Sequence, residues 1–171
     1  MRNLALIVLG FIFLFPSISS VSTLSDGKLS FINVHNNEKL SVQFLDAAGN
    51  VIPESLNQIN YFFRCYQTNK VHEVDVALLK ILDQVQDHFG TDKTLFYVSG
   101  YRSPEFNEKL RAEGHAVAKF SQHMHGEACD FYLSGVALEQ IRDYAIKIKK
   151  GGVGFYPGQF VHLDAAAFRT W

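Results

Sequence analysis

Two short stretches of the chain carry residue types that can do chemistry. The first is Ser121-Gln122-His123-Met124-His125-Gly126-Glu127-Ala128-Cys129-Asp130, which offers imidazoles and carboxylates within ten residues. The second is Phe160-Val161-His162-Leu163-Asp164. Two histidines and one carboxylate with a free fourth position make a catalytic zinc site. Such an ion lowers the pKa of a water towards neutrality and polarises a carbonyl. A His and an Asp seven residues apart also occur on ordinary polar surface, so spacing alone does not separate the two.

The elements that must position these residues can be read from periodicity. Leu29–Val34 and Leu40–Phe44 alternate around Asn36-Asn37 and predict a β-hairpin. Pro53 opens a helix to about Tyr66, and a second runs from about Asp75 to Phe89, where Gly90 stops it. Leu95–Val98 is a short strand, and Ser103-Pro104-Glu105 caps a helix to about Glu113. Ala128–Leu133 is a strand, Leu138–Lys149 a helix, and Gly152–Tyr156 and Phe160–Leu163 the final strands around Pro157-Gly158. Strands and helices do not alternate regularly. An α+β domain follows, with a small, mostly antiparallel sheet and flanking helices. Alternation along the strand turns Cys129 away from the face that holds Asp130.

With 171 residues the chain fits a single domain. Lys+Arg 16 against Asp+Glu 17 leaves a net charge of −1 and no basic block, which excludes a general attraction to nucleic acid. Met1-Arg2-Asn3, the apolar run Leu4–Phe15, Pro16 and the small residues behind it form the three regions of a secretory signal peptide. Residues 1–20 are read as that signal and 21–171 as one domain, exported and not membrane-inserted once the signal is removed. Outside the cytoplasm Cys65 and Cys129 could pair. Two separate buried thiols are the preferred reading, because each lies in an apolar segment.

The pattern Ser121-x-His123-x-x-Gly126-x-Ala128-x-Asp130, followed by a distant His162 on a strand, resembles the D-Ala-D-Ala metallopeptidase (lysostaphin-type) superfamily. More closely, the chain is similar to the YcbK-like murein endopeptidases. The matching blocks are Ser99–Pro104, Ser121–Asp130, Gly151–Pro157, Phe160–Asp164 and Arg169-Thr170-Trp171. The resemblance implies a hedgehog/D-Ala-D-Ala-peptidase-like fold, Zn²⁺ on His123, Asp130 and His162, and Arg102 beside the ion on the scissile carbonyl or oxyanion. It implies a periplasmic zinc peptidase whose partner is a peptidoglycan peptide; the sequence names no adaptor. Gly126 and Ala128 are expected to keep the backbone small near the metal, with Ser121 and Asp164 orienting ligands. The general base departs from the wider pattern. Relatives with a Glu three residues before the last His face Gln159 here, and those with a His two residues before it face Phe160. Asp164 is the candidate base, with His125 behind it. The rival readings are a D,D-carboxypeptidase on stem peptides and a non-catalytic, zinc-containing murein-binding module.

Overall fold

The computed structural model describes residues 25–171, so the signal-peptide reading of residues 1–20 lies outside the described residues. The chain runs β1 (Lys28–Asn33), β2 (Lys39–Gln43), α1 (Pro53–Phe62), α2 (Val76–Phe89), β3 (Leu95–Ser99) and α3 (Pro104–Ala112). A 3₁₀ turn (Gln122–His125) leads into β4 (Ala128–Leu133), and α4 (Leu138–Ile148), β5 (Gly152–Tyr156), β6 (Phe160–Asp164) and β7 (Arg169–Thr170) follow.

The seven strands form one sheet in the order β2-β1-β3-β4-β6-β5-β7. The class is α+β and most pairings are antiparallel, as expected, but the seven-stranded sheet is not small and is mixed. β1 pairs with β3, and β5 with β7, in parallel. The other neighbours are antiparallel. The expected hairpin is present, and its parallel seam with β3 joins it to the sheet that carries the site.

Alternation decides which residues face the helices. Helices α2 and α4 lie against β4 and β6. Cys129, Phe131, Val161 and Leu163 are buried in that core with Leu78, Leu82, Val85 and Ile141. The intervening Asp130, His162 and Asp164 therefore project from the opposite face. Asp75 caps α2 by accepting from the Ala77 N–H, and Ser103 caps α3 by accepting from the Phe106 N–H.

Helix α1 ends at Phe62, four residues before the expected end. Past it, Phe63 packs with Phe31 and Tyr97 in the main core. Cys65 turns into a separate small cluster with Tyr101 and Phe106. Continued helix could not serve both cores. Both cysteines are free and buried, as the preferred reading had it.

One polar group is buried beneath the start of β1. Asp83 of α2 has no exposed surface and accepts from the Ser25 hydroxyl and the Gly27 N–H. Its Oδ1 has no hydrogen-bond partner among the described residues. Burial, followed by the nearby Asp87 charge, pushes its carboxyl up to about 7. The folded state thus holds a proton that the unfolded chain releases near pH 4. Stability from this group is present below pH 4 and falls away as pH rises to about 7. We expect Asp83→Asn to melt about 4–8 °C above the unaltered protein at pH 8, with the gain shrinking towards pH 5. Melting curves across that range check it; a gain independent of pH would contradict the assignment.

Candidate metal centre

His123 comes from the 3₁₀ turn, Asp130 from β4 and His162 from β6. The β4–β6 register sets Asp130 directly opposite His162. His123 reaches the same point because the turn is tied down at both ends. Its carbonyl accepts from the Arg102 N–H at 3.0 Å, and the Asp75 N–H donates to the Gly126 carbonyl at 3.0 Å. All three side chains are buried.

The ring nitrogens are sorted by what lies behind them. His123 Nδ1–H donates to the Gly100 carbonyl at 2.7 Å, which leaves Nε2 facing inward. His162 Nε2–H donates to Asp164 Oδ2 at 3.1 Å, which leaves Nδ1 facing inward. This is the arrangement in which an outer carbonyl or carboxylate fixes the tautomer of a metal-binding imidazole. His123 Nε2 lies 3.2 Å from His162 Nδ1 and 3.3 Å from Asp130 Oδ2. His162 Nδ1 lies 2.7 Å from Asp130 Oδ1.

Those spacings test whether zinc fits. Tetrahedral bonds of about 2.0–2.1 Å place ligand atoms about 3.3 Å apart. The His123 Nε2 distances to His162 Nδ1 and to Asp130 Oδ2 meet that value, whereas the hydrogen bond between His162 Nδ1 and the other Asp130 oxygen, Oδ1, is shorter. The donor set of two imidazoles and a carboxylate fits zinc.

The electrostatics suit a cation-binding pocket. Burial pushes the Asp130 carboxyl up, but His123 and His162 outweigh it and hold it well below the carboxylate range. Burial likewise pushes His162 down, and its bonds to Asp130 and Asp164 more than restore it.

The three residues line a cavity of about 370 Å³, together with Arg102, Ser121, Phe160, Arg169 and Trp171. Arg102 thus shares a cavity with the three donor residues. Its Nε is buried without a partner among the described residues, and its side chain makes one long bond, 3.4 Å to Asn107 Oδ1. Burial disfavours its charge, and Asp130 partly offsets that.

Asp164 is elsewhere. It lies behind His162 and does not line the cavity. It accepts from His162, from the Gly152 and Ala166 N–H groups and from both terminal nitrogens of Arg169. Burial pushes its carboxyl up, but these donors hold it well below the ordinary range. His125 is exposed and Gln159 is outside the cavity, whereas Phe160 is a wall. Ser121 lines the cavity but makes no hydrogen bond to the three convergent residues. Gly126 is small for a reason other than the expected one. It has φ +69°, and a Cβ there would meet the Glu73 carbonyl at 2.1 Å, not a metal ion.

Sequence reasoning did not assign roles to Arg169 and Trp171, which build one side of the site. No spacing rule points to them, because β7 is only two residues long.

The model of the peptidoglycan L,D-endopeptidase MepK family matches residues 21–171. Among characterised proteins, peptidoglycan L,D-endopeptidase MepK of Escherichia coli K12 is 40% identical over 157 residues, covering 91% of this chain and 86% of that protein. A probable peptidoglycan L,D-endopeptidase MepK of Haemophilus influenzae is 36% identical over 156 residues, covering 90% and 83%. With that match over residues 21–171 and 40% identity across most of both chains, the chain belongs to the peptidoglycan L,D-endopeptidase MepK family of peptidases.

Proposed function

We propose that this chain is a zinc-dependent endopeptidase that hydrolyses L,D peptide cross-links of peptidoglycan, with His123, Asp130 and His162 holding the ion. The observation that carries the reading is the convergence of three buried donor groups on one point of a cavity, with the outer edges of both imidazoles already held, His123 by the Gly100 carbonyl and His162 by Asp164. Bound there, zinc supplies Lewis acidity and an acidified water.

The chain's own groups do the rest. Arg102 brings a fixed positive charge to the cavity wall, where negative charge develops on the carbonyl oxygen as it is attacked. With its hydrogen-bonding capacity largely unspent, it is preorganised for that oxygen. Phe160, Tyr156 and Trp171 border the cavity and displace water from around the scissile bond. Asp164 we assign to positioning His162, not to proton abstraction. A buried carboxylate that already accepts from several donors and faces away from the cavity has neither the reach nor the basicity of a general base. No carboxylate other than Asp130 lines the cavity among the described residues.

We further propose that residues 1–20 direct export and that residues 21–171 act in the periplasm. The family match beginning at residue 21 supports that division. No helix among the described residues is long and apolar enough to cross a membrane.

The test is release of monomers from purified cross-linked muropeptide dimers. We expect turnover that a chelator abolishes and added Zn²⁺ restores. Intact dimers in zinc-replete buffer, with wall binding retained, would favour a binding module instead. Loss of a terminal D-alanine with the cross-link intact would favour a carboxypeptidase.

A further inference from the structure

Strand β7 builds one side of the site. It pairs in parallel with β5, Gly152 opposite Arg169 and Val153 opposite Thr170. The ladder continues one residue further, with the Trp171 N–H on the Val153 carbonyl at 3.2 Å and the Phe155 N–H on the Trp171 carbonyl at 3.0 Å. Arg169 and Trp171, two apart, therefore share a face, and both reach the cavity.

One reaches His162 through Asp164 and the other packs against its ring. The Arg169 fork grips Asp164, at 2.7 Å to Oδ2 and 3.1 Å to Oδ1, and Asp164 in turn holds His162 Nε2. The Trp171 ring lies 5.2 Å from the His162 ring, centroid to centroid. Its indole N–H donates to the Tyr156 hydroxyl at 3.2 Å. The indole also has a built seat. Gly154 stands opposite His162 in the β5–β6 register, and a Cβ there would lie 2.7 Å from the indole. A histidine ring turns freely about its second side-chain torsion unless its neighbours stop it. Hydrogen bonding at one edge and a packed ring at one face together remove that freedom.

We propose that Arg169 and Trp171 are positioning residues for the metal centre: Arg169 acts through Asp164 on the Nε2 edge of His162, and Trp171, seated on Gly154, acts on its ring face. This rests on the reading of His162 as a metal ligand. Outer partners of metal-bound imidazoles typically contribute about 10–100-fold in metal affinity.

The test is zinc affinity of the purified protein, measured by competition with a chromophoric chelator, beside muropeptide kinetics and thermal melts. Trp171→Ala and Gly154→Ala should each weaken zinc binding about tenfold, and Arg169→Ala about 10–100-fold. Trp171→Phe should stay within about threefold, and Arg169→Lys should fall between Arg169→Ala and the unaltered protein, since Lys keeps the charge but loses the fork. The Gly154→Ala/Trp171→Ala double variant should bind no worse than either single one, because the added methyl then meets an empty seat.

Folded single variants with unaltered zinc affinity would overturn the proposal, as would an additive double variant. A raised KM with unaltered zinc affinity would make Trp171 a substrate contact only, which also overturns it. If the unaltered protein binds zinc and these variants bind it equally tightly, only the positioning role fails. If the unaltered protein binds none, the metal reading fails with it.

Discussion

His162→Ala should bind no stoichiometric zinc and should release muropeptide monomers at least about 10³-fold more slowly than the unaltered protein. The expectation follows from the geometry of one buried point. Three donor groups, whose ligand atoms lie within 4.8 Å of one another, are supplied by three separate stretches of chain. Removing one leaves two ligands, too few for a closed set with one open corner. It also strips Asp130 of one of the two imidazoles that keep its buried carboxylate ionised. The sheet itself should persist, because His162 projects from the face opposite the helices. Metal analysis, turnover and far-UV circular dichroism on the same sample separate loss of the ion from loss of the fold. One zinc per chain with turnover within about tenfold of the unaltered protein would show that His162 is not a ligand.

Replacing Arg102 should give the opposite pattern, an intact ion with failed chemistry. Arg102→Ala should lower kcat by about 10²–10³-fold while zinc stays bound. The guanidinium lines the same cavity as the three donors, and its backbone N–H holds the carbonyl of His123. That backbone bond survives the substitution, so the metal centre should not move. Arg102→Lys should recover little, because a single ammonium cannot reproduce a planar fork. A rise in KM with unchanged kcat would mean that Arg102 only holds the substrate in its ground state. Steady-state kinetics on muropeptide dimers, with zinc content measured in parallel, distinguish these outcomes.

How much of this was legible beforehand depends on the range of the interaction involved. The alternation in Ala128–Leu133 and Phe160–Asp164 is local, and it correctly put Cys129 in the core and Asp130 on the other face. Caps and stops at Asp75, Gly90 and Ser103 are local too, and α2 and α3 lie within a residue of their expected bounds. The end of α1 is not a local matter. Phe63 and Cys65 serve two different clusters, and no helical period reveals that. The parallel seams β1–β3 and β5–β7 join segments whose pairing no single segment encodes. Asp164 shows the same limit at the site. Two residues beyond His162, it shares the face of that residue, which made it a plausible base. Its burial behind His162 and its capture by Arg169 depend on β7, whose two residues are too short to show a period.

The opposition of Asp130 and His162 across the central ladder has a consequence for how the molecule matures. A slip of one residue in β6 would turn His162 away from Asp130 into the apolar core and its neighbours Val161 and Leu163 towards water. No half-correct pairing can cradle an ion. The pairing register of β4 and β6 is therefore what brings these two donor groups together.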